Sequence, residues 1–483
     1  MSTICPFGGT RMSHFFHRIQ RLAAVAIMLG SITLASRWAS ADDADPPGAY
    51  KAPAPDPSPV ETLMLEFINR CRANPHEDGV RCSESSGIPG SVDLAMFASE
   101  MSSEASSPPL VFDLRLLKAA RWHSHYQVLN GQGHDEVPGK EGFTGTDPLQ
   151  RVKRTGYSGG VGENAFVGPK DPWQCHLGYV VDWGPGGPGG MQPRRGHRKN
   201  ILNPNFRLAG VGAVPYDGDQ KFACTHNFGD SKERFVGGVI INDRNKNHFY
   251  DIGEGISDVA LSSGDVTMKS WYSGAFTLPI SRTKPRMTIE LDGKKYAAIL
   301  PDGDENVKFD VFVNEKSSFN LASTLLTALK KIPEDKSSEP RRFAAEIELC
   351  FAARGALVEE SIFDEVQAIV VPARKKLEAE MTDVRKMLTT DSIDDARKLV
   401  RTALQKYVRT KAKSWFADAL ICVEIKESFL RALELKSGDK PVTQAVLSRT
   451  LKKQQTQFQQ LTVPEWKKIA QDLGTKTAAL GGG

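Results

Sequence analysis

The spacing of apolar residues changes twice along this chain, and each change marks a place where one core must stop and another begin. Up to about residue 231, helical stripes and short strands alternate. From 235 to about 313 apolar residues recur at every second position, and from 317 onward they recur at helical spacing. A chain of 483 residues is also too long for one core, and about 100 to 200 residues per domain favours three folded units. Basic and acidic residues nearly balance, 62 against 58, so charge makes no case for a nucleic-acid partner.

The N-terminus does not read as fold. Arg18 and Arg21 precede an apolar run over residues 22–35, and Ala39-Ser40-Ala41 stands before Asp42, the order of a secretory signal peptide. That run is about fourteen residues, short of the ~20 a spanning helix needs. Residues 1–41 are therefore expected to be cleaved, leaving a secreted, periplasmic or cell-envelope protein without a transmembrane helix. Six cysteines remain: Cys71, Cys82, Cys175, Cys224, Cys350 and Cys422. An even number in an exported chain permits disulfides, and nearness in sequence favours Cys71 with Cys82; buried free thiols are the other reading.

Residues 42–57 are rich in Pro, Ala and Asp and are expected to form an extended linker. Ser58-Pro59-Val60-Glu61 then supplies a capping hydroxyl, a first-turn Pro and a Glu able to return the bond, so a helix is expected to begin there. The stretch from Asn74-Pro75 to Ser107 reads as loop. A second helix is expected after Asp113, stopping at Gly131-Gln132-Gly133, and a third is expected from 170 to about 183. Strands are expected over 208–214 and 221–228. The boundaries are a first domain over 58–231, an antiparallel β-sandwich over 232–315, an all-α bundle over 316–476 and a tail over 477–483. In the bundle, Ser392 and Thr462-Val463-Pro464-Glu465 open helices, and Gly474 is expected to close the last one.

Three side chains in the first domain stand beside glycines and carry the chemistry of a metal or acid/base site: His134, Glu163 in Gly162-Glu163-Asn164, and His197 in Gly196-His197-Arg198-Lys199-Asn200-Ile201-Leu202. Spacing alone does not bring them together. The blocks around them, in order, resemble the CAP superfamily, or SCP domain, of cysteine-rich secretory, venom-allergen and pathogenesis-related proteins. They are Phe67-Ile68-Asn69-Arg70-Cys71-Arg72, the helix from Pro109-Leu110 through Asp113 to His123-Ser124, Gly162-Glu163-Asn164-Ala165, the His197 block with Gly210-Val211-Gly212, and Thr225-His226-Asn227-Phe228-Gly229.

The resemblance implies a three-layer α/β/α sandwich and a cleft of two His and two acids that in several members binds zinc or another divalent cation. His134, Glu163 and His197 match three of these four. At the position of the second acid this chain has Gly186, and Asp182 is the substitute at hand. His123 matches the family's helix His and is expected to be packed or hydrogen-bonded, as is His176; His125 points to another helix face; His226 is a lesser candidate for the cleft.

Asp243, Asn245, Asn247, the Phe249 carbonyl, Asp251 and Glu254 fall at the ligand positions of a twelve-residue calcium loop, with His248 where Gly is usual. The surrounding block resembles the calcium-binding B-type repeats of bacterial surface adhesins. An Asn/Asp-rich turn without metal is the other reading. Together these features lead to an exported CAP-domain protein whose cleft binds a divalent cation, zinc-like, or a small apolar ligand, with calcium in the β-module. A metal-dependent hydrolase or peptidase using His134, Glu163 and His197, with Asp182 as a further member, is the first alternative. An adhesion protein with a vestigial cleft, meeting an extracellular protein or envelope component, is the second.

Overall fold

The computed structural model describes residues 45–480 apart from 219, 282–284, 302, 316–318, 354–355 and 438–443. The expected leader over 1–41 lies outside them. The chain forms an α/β region, then β-rich sheets, then a helical region. These divide into two compact units, one within Met1–Lys295 and Leu300–Glu315 and the other within Tyr296–Ile299 and Lys316–Gly483.

The first unit opens with α1 (Pro59–Ala73), and the expected capping box is formed: Ser58 Oγ accepts from Glu61 N while Glu61 returns a bond to Ser58 N. The preceding segment is docked rather than free. The Arg121 guanidinium donates to the carbonyls of Ala54, Pro55 and Asp56, and it also grips Glu61. The stretch read as loop contains α2 (Pro75–Ser83) and α3 (Leu94–Ser103). Asn74 caps α2 and Asp93 caps α3, so capping residues that were grouped with turn formers in fact start helices.

A four-stranded sheet forms the middle layer, in the order β1 (Val111–Phe112), β3 (Leu208–Tyr216), β4 (Lys221–Gly229), β2 (Val161–Val167). β1 runs parallel to β3; the other pairings are antiparallel. Against one face lies α4 (Leu114–Asn130), capped by Asp113 and ended at Gly131 as expected. Close approach requires glycine: a Cβ on Gly210 would stand 2.0 Å from the Leu116 carbonyl carbon, and one on Gly212 2.4 Å from Arg121 N. Against the other face lie α1, α6 (Pro172–Val181) and α7 (Gly196–Leu202), tied by Arg72 to the carbonyls of Ile201 and Asn203 and by Tyr179 Oη to the Cys224 carbonyl. A short helix, α5 (Pro148–Arg154), leads into β2.

The β-module departs from a purely antiparallel sandwich. Its strand β5 (Phe235–Ile241) pairs antiparallel with β8 (Ala275–Pro279) but parallel with β11 (Val307–Lys308) and β12 (Val311–Phe312). A long excursion separates β5 from β11, which lets the chain return in the same direction. Within it, β6 (Ala260–Ser263) pairs antiparallel with β7 (Val266–Lys269) and β9 (Arg286–Leu291). Gly237 faces Val111, and Val239, Ile241, Tyr250 and Ala275 share one core with Ile68, Phe112 and Phe228, so the module is fused to the α/β region.

In the second unit Tyr296–Ile299, the end of β10 (Lys294–Ile299), pairs antiparallel with β13 (Leu357–Glu359). Its helices include α8 (Leu321–Lys330), α9 (Glu339–Ala353), α10 (Glu360–Thr389), α11 (Ile393–Lys406), α12 (Ala412–Ser437), α13 (Gln444–Gln459) and α14 (Pro464–Ala479). α14 runs through Gly474 rather than ending there, since one glycine costs about 1 kcal/mol and Trp466, Ala470 and Leu473 anchor the helix in a core with Phe416 and Val423. All six cysteines of residues 45–480 are free and buried, so the expected Cys71–Cys82 bridge is not formed. They pack as small apolar groups.

Candidate functional site

The edge strand β2 brings the predicted cleft residues together from both layers. Side chains alternate across a strand, so Glu163 faces the α4 side while Asn164 faces α7. Glu163 sits opposite Asn227 and Asn164 opposite His226. His134 follows α4 in the loop after Gly131 and reaches Glu163, with Nδ1 at 3.0 Å from Oε1. His197 comes from the first turn of α7, and the two rings stand 6.4 Å apart between centroids. His134 is half exposed and His197 mostly covered, with side chains 52% and 15% accessible.

Asp182 is the carboxylate that meets His197. It caps α6 in the left-handed region, φ 59 and ψ 44, which turns its carboxylate toward α7. Oδ2 accepts from His197 N at 2.9 Å and Oδ1 meets His197 Nδ1 at 2.8 Å. Gly186, where the family pattern has its acid, takes φ +95 beside Pro193. Both histidines therefore have the same arrangement: Nδ1 is held by a buried carboxylate, and no protein group occupies Nε2 of either among the described residues.

Glu163 is saturated by donors. Besides His134, Arg151 donates to Oε2 at 2.7 Å, and the Asn227 amide, oriented to satisfy both its ends, donates to Oε2 at 3.2 Å. Burial pushes its carboxyl pKa up, but the hydrogen bond from His134 and the charges of His123 and Arg151 outweigh it and hold the group below the usual range. The bond to Glu163, acting against burial, holds His134 above the ordinary imidazole value. Arg151 was not singled out in the sequence; a basic residue in a short helix carries no signal until the fold turns it inward, where it also donates to the His134 carbonyl. Asn200 braces the other side, donating to Asn164 Oδ1, while Asn164 Nδ2 donates to the His197 carbonyl.

The remaining histidines separate by partner. His123 is bonded at both ring nitrogens, to Glu136 and the Gly133 carbonyl, as expected of a packed residue. His125 lies against Tyr50. His226 is fully buried against Tyr179, neither ring nitrogen has a hydrogen-bond partner among the described residues, and burial with the neighbouring His176 and His197 pushes its pKa down to about 3. His176 is buried and meets Asp78 Oδ2 at 2.7 Å. With Cys71 it forms the one group of three metal-ligating side chains among the described residues whose donor atoms all lie within 4.8 Å of one another: Cys71, Asp78 and His176. Its sequence signal was split across three helices.

In the β-module the predicted calcium residues form a compact loop. Asp243 accepts from Asn247 N and His248 N, Asn245 and Asn247 both donate to Asp251 Oδ2, and Glu254 Oε1 accepts from Arg244 N. Glu254 Oε2 is buried without a hydrogen-bond partner among the described residues. His248 takes the left-handed φ of 56 that its place in the loop demands, and Phe249 stacks on Phe67.

Residues 65–228 match the family model described as CAP, the cysteine-rich secretory protein family, so the chain carries a CAP domain there. Among solved structures, the chain is similar to an extracellular protein containing an SCP domain from Bacillus anthracis str. Ames, with 27% identity, 26% of this chain and 35% of that chain covered, and a TM-score of 0.20. This chain thus spans about a third of that one. No curated protein matches. No helix among the described residues is long and apolar enough to cross a membrane.

Proposed function

We propose that the CAP domain binds a divalent cation, zinc-like, through His134 and His197, in a protein that works outside the cytoplasm. The observation that carries this reading is the doubled carboxylate–imidazole pair: each Nδ1 is fixed by Glu163 or Asp182, which sets the tautomer and leaves Nε2 as a free lone pair facing the cleft. The donor set suits a borderline cation with water in the open positions. A bound cation of this kind supplies Lewis acidity. Glu163 acts as an orienting group, because Arg151, His134 and Asn227 already take its oxygens. That weighs against Glu163 as the general base of a hydrolase.

The 243–254 loop is an accessory calcium site, with the unpartnered Glu254 oxygen as the group that gains most from an ion. Calcium at millimolar concentration is expected to raise the melting temperature of the wild type but not of Glu254→Gln; equal shifts in both would reject the site. For the cleft, the test is metal analysis of the purified chain beside the His134→Ala, His197→Ala double variant. The variant is expected to lose about one equivalent per chain while keeping its circular dichroism. Unchanged content would reject the assignment.

A further inference from the structure

A second cluster, buried, joins α1, α2 and α6. Cys71 is on α1, Asp78 and Cys82 are on α2, and His176 is on α6. All four are buried. Asp78 is the centre: Oδ2 meets His176 Nε2 at 2.7 Å and Cys82 Sγ at 3.9 Å, and Oδ1 accepts from Arg70 Nε at 3.0 Å. The Cys71 thiol joins Asp78 and His176 within 4.8 Å. Phe67 and Trp173 close the cluster, each lying against the His176 ring.

A salt bridge between Asp78 and Arg70 explains the carboxylate but not its company. Two thiols and an imidazole gathered around one buried carboxylate are the donors of a structural zinc site, one sulfur pair with one nitrogen and one oxygen. Donor atoms in tetrahedral zinc sites stand roughly 3.3–3.8 Å apart, as follows from bonds of about 2.0–2.3 Å. Within the group of Cys71, Asp78 and His176 the spacings run from 2.7 Å up to a limit of 4.8 Å and bracket that range; Cys82 Sγ, 3.9 Å from Asp78 Oδ2, lies outside that group and must move in to close the site as its fourth donor.

Charge also fits. Two thiolates and a carboxylate around a divalent cation leave one negative charge, and Arg70, already bonded to the outer oxygen of Asp78, cancels it. A carboxylate ligand held by an arginine from behind is the usual outer arrangement of a metal site.

We infer that Cys71, Cys82, Asp78 and His176 form a closed structural site for a thiophilic divalent cation of the zinc class, pinning α1, α2 and α6 together. On binding, the two thiol protons leave to solvent as the sulfur–metal bonds form, His176 keeps its ring proton on Nδ1 so that the Nε2 lone pair is free, and the His176–Asp78 hydrogen bond is replaced by two bonds to the metal. The consequence reaches the cleft through α6: His176 sits in the middle of that helix and Asp182, which orients His197, caps its end. This site is separate from the His134/His197 pair and stands or falls without it.

The test uses the full chain, purified without chelator. X-ray absorption at the zinc edge is expected to show a sulfur shell at about 2.3 Å; a shell of nitrogen and oxygen alone overturns the inference, and this measurement needs no variant to fold. Cobalt(II) loading is expected to give thiolate-to-metal absorption in the near ultraviolet that survives in His134→Ala, His197→Ala and disappears in Cys71→Ser and His176→Gln. Absorption unaffected by Cys71→Ser, or a Cys71–Cys82 disulfide found by mass spectrometry of the unreduced protein, overturns it. Loss of the band in the cleft variant alone assigns the metal to the cleft and likewise overturns it.

Discussion

Asp182 shows how much one backbone dihedral can carry. A left-handed conformation is costly for a residue with a side chain, on the order of 1 kcal/mol, yet it is what lets both carboxylate oxygens receive N–H groups of His197. An amide has only one oxygen to offer these two donors. Asp182→Asn is therefore expected to weaken cleft metal binding about 10–100-fold with the fold intact, as titration with a competing chelator would measure. An unchanged affinity would show that His197 needs no orienting partner.

Glu66 has a different chemistry. It is buried beside Lys308, which it shares with Asp310. Burial pushes its carboxyl up to about 7, against the pull of Lys308 and with the help of the Asp310 charge. A folded pKa above the unfolded value of about 4.3 means that its stabilising contribution is complete below that value and is lost as pH rises through 7. The wild type is expected to lose on the order of 1–3 kcal/mol more than Glu66→Gln between pH 4.5 and 8 by urea denaturation. Parallel pH profiles would reject this.

At the scale of elements, glycine separates tight packing from tolerance. Gly210→Ala or Gly212→Ala drives a methyl into the backbone of α4, where neither side can yield, and is expected to cost about 3 kcal/mol or more. Gly474→Ala meets nothing within 4 Å in the middle of α14 and is expected to stabilise that helix by about 1 kcal/mol. Thermal melts of the three variants decide both.

The same elements show what was legible in the sequence. The caps at Ser58 and Asp113 and the strands β3 and β4 were readable because each depends on local chemistry, whereas β1 and β2 were not read as strands, and His134, Glu163 and His197 were grouped only through an ordered block of motifs. The helices α2 and α3 were not, because their capping Asn74 and Asp93 sit among turn-forming residues. The direction of Asp182 was hidden by the Gly/Pro run that follows it, and the Cys71 cluster by being spread over three helices whose packing no spacing encodes.

For the whole molecule, strand order sets a timetable. In the first unit β1 has no partner until β3 is made, and β5 none of its parallel partners until β11 and β12. The second unit is mainly consecutive helices, closed except for the short Tyr296–Ile299 strand on β13. Contacts distant in sequence slow folding. In refolding followed by pulsed hydrogen exchange, amides of the helical unit are expected to be protected before those of β1, β3 and β4; the reverse order would show that topology does not govern this chain. A chain emerging from its N-terminus would thus expose α1 to α7, with their buried faces, before the sheet that covers them exists. During that interval unpaired strands and apolar helix faces are open to aggregation, and a chaperone has something to hold.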